Sequence, residues 1–417
     1  MNYIRIYNME LSNITGPVPT SRKTVCLNMI VKDESHIMVE LLTSVYKYID
    51  YFVIVDTGST DNTIELINTF AKNKNIKGEV FTRKWVDFGT NRTEALDLCK
   101  GKGDYVWVID ADNFVIGTID FSVLSTNLDS YTVLYKSSVS FWRCQIVKND
   151  GSVKWKWHDV IHENLGPANA NERITAGRLE GGKNDYYIQD FHLGSRSLDP
   201  RKYDKDIALL EKGVIDRPEY PRYRFYLAQS YNSARKYEYA IVNYRKRLNM
   251  GGFLEEVYQS LYQIGIATRQ LYYQYKKYLQ EKSSELAHSL PVNISEVHNA
   301  FMEASKYSPY RAEPLYELAM FYKNENDFEN GYKYAKQATM LKRPYDGLFI
   351  EDYVYNYAAT DLLALCAHYS RRYDESFRLH TLLLSNADLP KEHLERIKNN
   401  LEWDKKKVVE LHNIVNS

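Results

Sequence analysis

Short apolar runs separated by amphipathic stretches fill the first half of the chain, and helical periodicity takes over from Asp199-Pro200 onward. Val25 to Val31 and Tyr51 to Val55 are runs rich in β-formers, each followed by a polar turn and a helical stretch. A third short strand, Glu79 to Arg83, precedes a helix from Asn91 to Leu98, and Gly101 to Asp104 turns the chain into Tyr105 to Ile109. Strand, helix, strand, helix, strand with short connections predicts a doubly wound α/β half. Beyond it, Tyr131 to Lys136 and Phe141 to Val147 read as strands. Asn149-Asp150-Gly151 is a hairpin turn leading to Val153 to Trp157, and Tyr186 to Phe191 is a last strand. Antiparallel strands added to a parallel start predict a mixed sheet.

Tyr105 to Ile109 is apolar throughout, as expected of a central strand covered on both faces. It runs into Asp110-Ala111-Asp112, two carboxylates one residue apart where the backbone leaves the sheet. Ligands of open α/β sheets bind outside the carboxyl ends of the strands. Paired carboxylates there suit a hard divalent cation that neutralises substrate phosphates. An Asp-x-Asp by itself is a weak signal; the buried strand before it gives this one its weight.

Six segments in order, CLNMIVKDE, VIVDTGSTDNT, DFGTNRTEAL, YVWVIDADN, VIHENL and FHLGSRSLDP, resemble the family 2 glycosyltransferases of GT-A fold, in the branch that carries tetratricopeptide-like (TPR-like) helices after the catalytic domain. The resemblance implies transfer of a sugar from a nucleoside-diphosphate sugar, UDP-sugar first, with Mn²⁺ or Mg²⁺. It implies that Asp56 receives the base or ribose; capping of the next helix is the alternative. Asp110 and Asp112 become the metal motif, Asp110 also reaching the ribose or metal-bound water, and His192 a third metal ligand. Arg92, with Asp87 close by, faces the donor diphosphate, although Arg92-Thr93 stands where the family has Arg-Asn; an ordinary surface arginine on a helix is its rival. Glu163 is the base that takes the acceptor proton in a single, inverting displacement; a structural pair with His162 is its rival. Trp155 and Trp157 are a sugar-stacking platform or, as alternating aromatics on a strand more often are, core.

From Pro221 a helix-turn-helix repeat of about 34 residues fits the chain. Leu227, Ala228, Tyr231, Ala240 and Tyr244 take its packing positions, and Leu318, Ala319, Tyr322, Gly331 and Ala338 repeat them. A looser copy uses Leu363, Ala364, Ala367 and Ser376. A further unit around Ile264-Gly265 and Ala300 to Ala304 is interrupted by an insertion near Glu281 to Asn293. The expected organisation is a leader at 1–20, the GT-A domain at 21–198, a TPR-like α-solenoid at 199–390 and a capping helix at 391–417. The concave face of such a stack suits an extended peptide or self-association into a homo-oligomer.

Charge and composition narrow the partners. Lys plus Arg equals Asp plus Glu at 54 each, so nothing favours nucleic acid or acidic membranes. No stretch approaches the roughly 20 apolar residues of a membrane span. The N-terminal segment lacks a secretory pattern, and the four cysteines lack metal-type spacing. A cytoplasmic, reducing setting is expected. For the transferase the resemblance implies, the helical stack offers a place for a protein or peptide acceptor, and a glycan acceptor is the rival. Two rival classes are a non-catalytic TPR scaffold with a degenerate transferase domain, and a nucleotidyltransferase; the latter would open with a glycine-rich loop where Lys32-Asp33-Glu34 stands. The 36 tyrosines have no explanation at this level.

Overall fold

The structure, a computed structural model, describes residues 22–124, 127–136, 140–169, 171–180, 186–282 and 292–415. The expected leader and most of the expected insertion lie outside them. The chain divides into two compact units, Met1–Pro218 and Glu219–Ser417.

In the first unit, β1 (Val25–Val31), β2 (Tyr51–Asp56), β3 (Lys77–Thr82) and β4 (Tyr105–Val108) are parallel neighbours in the order β3-β2-β1-β4. Helices α1 (Met38–Val45), α2 (Thr63–Lys74) and α3 (Phe88–Leu98) connect them. Alternation along β1 explains why both faces are covered. Val25, Leu27 and Met29 join Leu41, Leu42, Ile67 and Phe70 in one core, whereas Cys26 joins Leu96, Cys99 and Trp157 in the other. Each large apolar side chain fully buried in this way contributes about 1.5–3 kcal/mol.

The sheet continues through antiparallel β7 (Ser140–Lys148) to β6 (Ser130–Lys136), β11 (Tyr186–Asp190) and β5 (Asn113–Gly117), with short β10 (Ala176–Arg178) beside β6. The mixed sheet agrees with expectation; two details differ. Asn113–Gly117, directly after the paired aspartates, is a strand that sequence patterning does not show, and it pairs antiparallel with β11. The segment after the Asn149 turn is no hairpin partner of β7. β8 (Trp155–His158) pairs with β9 (Asn164–Pro167) in a separate two-stranded sheet. That ribbon lies on α3: Trp157 N–H donates to Thr93 Oγ1 at 3.0 Å. A Cβ on Gly89 would stand 2.3 Å from the carbonyl oxygen of Asp159, so only glycine lets α3 lie this close.

Helix α4 (Lys202–Asp216) falls in the first unit, although the expected boundary at 198/199 precedes it. Ion pairs of Arg196 with Asp206 and of Arg217 with Asp159 tie it there.

The second unit is a stack of helical hairpins: α5 (Pro221–Ser233) with α6 (Tyr237–Leu248), α7 (Leu254–Lys282) with α8 (Ile294–Tyr307), α9 (Glu313–Asn324) with α10 (Phe328–Thr339), and α11 (Ala359–Tyr369) with α12 (Tyr373–Leu384). Helix α13 (Lys391–Val415) packs on α12, in the place expected of a cap. Three hairpins turn identically. Arg235, Asn326 and Arg371 adopt left-handed backbone, and the next N–H donates to the carbonyl of Tyr231, Tyr322 or Ala367. Small residues mark the crossings: a Cβ on Gly265 would enter the Phe301 ring, and one on Gly331 would meet Cys366 Sγ at 2.9 Å. Tyrosine fills many seams between them, with Tyr226, Tyr244, Tyr258 and Tyr262 among those buried. Packing thus accounts for part of the unusual tyrosine content.

Candidate active site at the carboxyl end of β4

Strand β4 delivers Asp110 and Asp112 to the edge of the sheet, and α3 turns Arg92 toward them. Arg92 Nη2 donates to Asp110 Oδ1, and Arg92 Nε lies 2.7 Å from Glu163 Oε1. Three residues marked by sequence, Asp110, Arg92 and Glu163, therefore form one chain of charge. Arg92 and Glu163 are only 8% and 7% exposed, so this chain is largely out of water. The Trp157 ring lies against it, 5.3 Å from the Arg92 guanidinium. Trp155 and Trp157 are buried and belong to the core, so neither is a stacking platform. Burial works to raise the pKa of Asp110, but Arg92 and Arg143 outweigh it and hold the carboxyl below its ordinary range.

Arg143 escapes the sequence reading. Its Nη1 lies 3.6 Å from Asp110 Oδ2. A signal for it exists in period 2: Arg143 and Gln145 are polar at alternate positions of the strand Phe141 to Val147, the pattern of side chains sharing one face.

Asp112 has a different environment. Its Oδ2 accepts from Gly194 N–H at 3.1 Å and its Oδ1 from Asn113 Nδ2 at 3.3 Å. Burial, then repulsion from Asp190 and Asp110, raise its pKa. Glu34 closes the far side: Ser195 N–H donates to it, while burial and the charges of Asp112 and Asp110 push it up to about 7. His192 follows β11 with left-handed backbone and is 69% exposed; its N–H donates to Asp190 Oδ1, and its Nδ1 is 3.1 Å from the same oxygen. It does not join Asp110 and Asp112. Among the described residues, no three His, Cys, Asp or Glu side chains are gathered to hold a metal ion. The donor set suits a hard cation nonetheless, because Asp112 and Glu34 are oxygen ligands and the charge of Asp112 works to raise the Glu34 pKa.

Asp56 and Asp87 both make local hydrogen bonds to the backbone. Asp56 is buried where β2 ends and accepts the N–H groups of Gly58 and Ser59 at 3.0 and 3.1 Å, which closes its own turn. Helix α2 is served by Asp61, which accepts from Thr63 N–H. Asp87 is the N-cap of α3 and accepts Thr90 N–H at 2.7 Å. Thr93, standing where the resembled family has Asn, is the residue that holds β8 by its hydroxyl. His158 is engaged within the ribbon, its Nε2 being 2.9 Å from the carbonyl of Pro167.

An α/β domain with paired carboxylates at the end of its central strand, followed by stacked helical hairpins, defines a class of nucleotide-binding transferase architecture. Residues 26–124 match the family described as Glycosyl transferase family 2. The first unit thus contains a family 2 glycosyltransferase domain, and a TPR-like helical region follows in the chain. The SPbeta prophage-derived glycosyltransferase SunS of Bacillus subtilis is 23% identical over 253 residues, covering 57% of this chain and 56% of that protein. A TPR repeat-containing protein of Synechococcus elongatus is 29% identical over 168 residues, 36% of this chain and 40% of that protein. The chain thus spans about half the length of the curated relatives it matches. Among solved structures, TTC0263, a thermophilic TPR protein of Thermus thermophilus, aligns with 48% of this chain and 91% of its own at 17% identity and a TM-score of 0.33. YrrB, a TPR protein, aligns with 48% and 87% at 12% identity and a TM-score of 0.32. No helix among the described residues is long and apolar enough to cross a membrane.

Proposed function

We propose that this protein transfers a sugar from a nucleoside-diphosphate sugar, UDP-sugar first, to a protein, peptide or glycan acceptor. The observation that carries the reading is the Asp110–Arg92–Glu163 chain at the carboxyl end of β4 in a family 2 domain. Glu163 takes the proton of the acceptor nucleophile as that atom bonds to the anomeric carbon. The bond from that carbon to the diphosphate oxygen breaks on the opposite face, so the sugar inverts and the nucleoside diphosphate leaves. Arg92 fixes Glu163 Oε1, orienting the base before substrate arrives. Asp112 would hold a divalent cation, Mn²⁺ or Mg²⁺, with His192 able to join by releasing Asp190. When bound, that cation stabilises the charge developing on the leaving diphosphate. The helical hairpins are the surface on which a polypeptide acceptor is held.

The test is thermal stability against a panel of nucleoside diphosphates and nucleotide sugars, with and without Mn²⁺, beside Asp112→Ala. The expected result is a rise in melting temperature for one base that needs the metal and vanishes in the variant. No shift for any nucleotide, with both proteins folded, would instead favour a scaffold whose transferase domain no longer binds donor.

A further inference from the structure

Two guanidinium groups face Asp110, and they differ in what remains free. Arg92 is almost wholly buried, its Nη2 donating to Asp110 Oδ1 and its Nε ion-paired with Glu163 Oε1. A diphosphate drawing Arg92 toward itself would weaken those pairs and leave a buried carboxylate less compensated. Arg143 is held from behind instead. With its amide oriented to satisfy both groups, Gln145 donates to the carbonyl of Val108, the last residue of β4, at 2.6 Å and accepts Arg143 Nε–H at 2.8 Å. The Trp157 and Tyr135 rings flank the Arg143 guanidinium at 5.8 and 5.9 Å, adding cation–π attraction. Its outer edge reaches only to 3.6 Å from Asp110 Oδ2, beyond a hydrogen bond, and the side chain is 29% exposed. The result is a guanidinium fork fixed in direction, partly exposed and with its outer edge facing Asp110.

We propose that Arg143, not Arg92, is the side chain that binds the diphosphate of the donor. Arg92 is then a positioning residue that holds Asp110 and Glu163. This inference rests on the nucleotide-sugar reading above. A planar, pre-oriented fork matches two phosphate oxygens at once, which the compact ammonium of lysine does not. Gln145 is buried and fully used between Val108 and Arg143, so the direction of the fork is built into the end of β4.

The experiment measures binding of UDP and UMP in Mn²⁺ by calorimetry for wild type, Arg143→Gln and Arg143→Lys. If the panel above selects another base, its diphosphate and monophosphate replace them. Arg143→Gln should bind the diphosphate about ten- to a hundredfold more weakly, with a much smaller change for the monophosphate. Arg143→Lys, which keeps the charge and serves if the glutamine variant folds poorly, should also lose at least about fivefold for the diphosphate. Equal weakening for both nucleotides in the lysine variant would mean a structural role and overturn the assignment. So would diphosphate affinity unchanged from wild type. Wild type that binds no nucleoside diphosphate would overturn the nucleotide-sugar reading itself, a result distinct from either.

Discussion

Removing the Arg92 guanidinium while keeping its bulk, as Arg92→Met, should damage the first unit more than any surface charge change could. Glu163 is 7% exposed, and its ion pair is with Arg92; Asp110 would keep only the longer contact to Arg143. Breaking a pair at such burial costs about 3–5 kcal/mol, mostly because the surviving carboxylate stays desolvated. Five of the six tryptophans (Trp85, Trp107, Trp142, Trp155 and Trp157) lie in the first unit, so urea unfolding followed by tryptophan fluorescence reads this unit selectively. Asp110 supplies a pH signature. Its folded pKa is below the unfolded value, so in wild type its contribution is present above about pH 4 and lost as pH falls through the folded pKa. Without Arg92 that depression shrinks, and the deficit of the variant should narrow on acidification. Adding Glu163→Gln to Arg92→Met should cost little more, because the charge that suffered has gone. A single-variant loss under about 1 kcal/mol, or two losses that simply add, would refute the claim that Arg92 holds Glu163.

Two further outcomes separate structural from binding roles. Asp87→Ala should lower stability by about 1 kcal/mol, the worth of an N-cap, and leave donor affinity unchanged in the same calorimetry; a tenfold loss of affinity would restore it to the binding site. In the second unit, Asp404 is buried and accepts from His368 Nδ1, His380 Nδ1 and Ser376 Oγ, joining α11, α12 and α13. Asp404→Asn should cost about 2–3 kcal/mol at pH 7, seen as an earlier loss of helical circular dichroism. Burial alone would raise this carboxyl; hydrogen bonds from His380, His368 and Ser376 lower it, so the gap to wild type should persist at pH 5 and narrow as pH drops below about 3.8. A pH-independent gap would show that shape, not charge, holds the three helices.

What could be read in the sequence, and what could not, follows from the range of the interactions. Tyr105 to Ile109 announces a buried strand because its burial on both faces is written into consecutive residues, and the aspartates after it are placed by the strand itself. The helical hairpins are legible for the same reason: Ala240, Gly331 and Ser376 recur at the spacing that close crossings require. Strand β5 is not legible, since Asn113–Gly117 is half-buried at a sheet edge and depends on β11, some seventy residues on. β8 misleads, because an Asn-Asp-Gly turn followed by alternating aromatics specifies an extended segment but not its partner. The partner is decided by Thr93 and by the missing side chain of Gly89, on a helix that only the fold brings near. The site divides along the same line. The residue types needed for sugar transfer stand in local motifs, but the division of labour among Arg92, Glu163 and Arg143 depends on three elements meeting. A motif can mark an arginine; only the structure shows that it is already paired with two carboxylates.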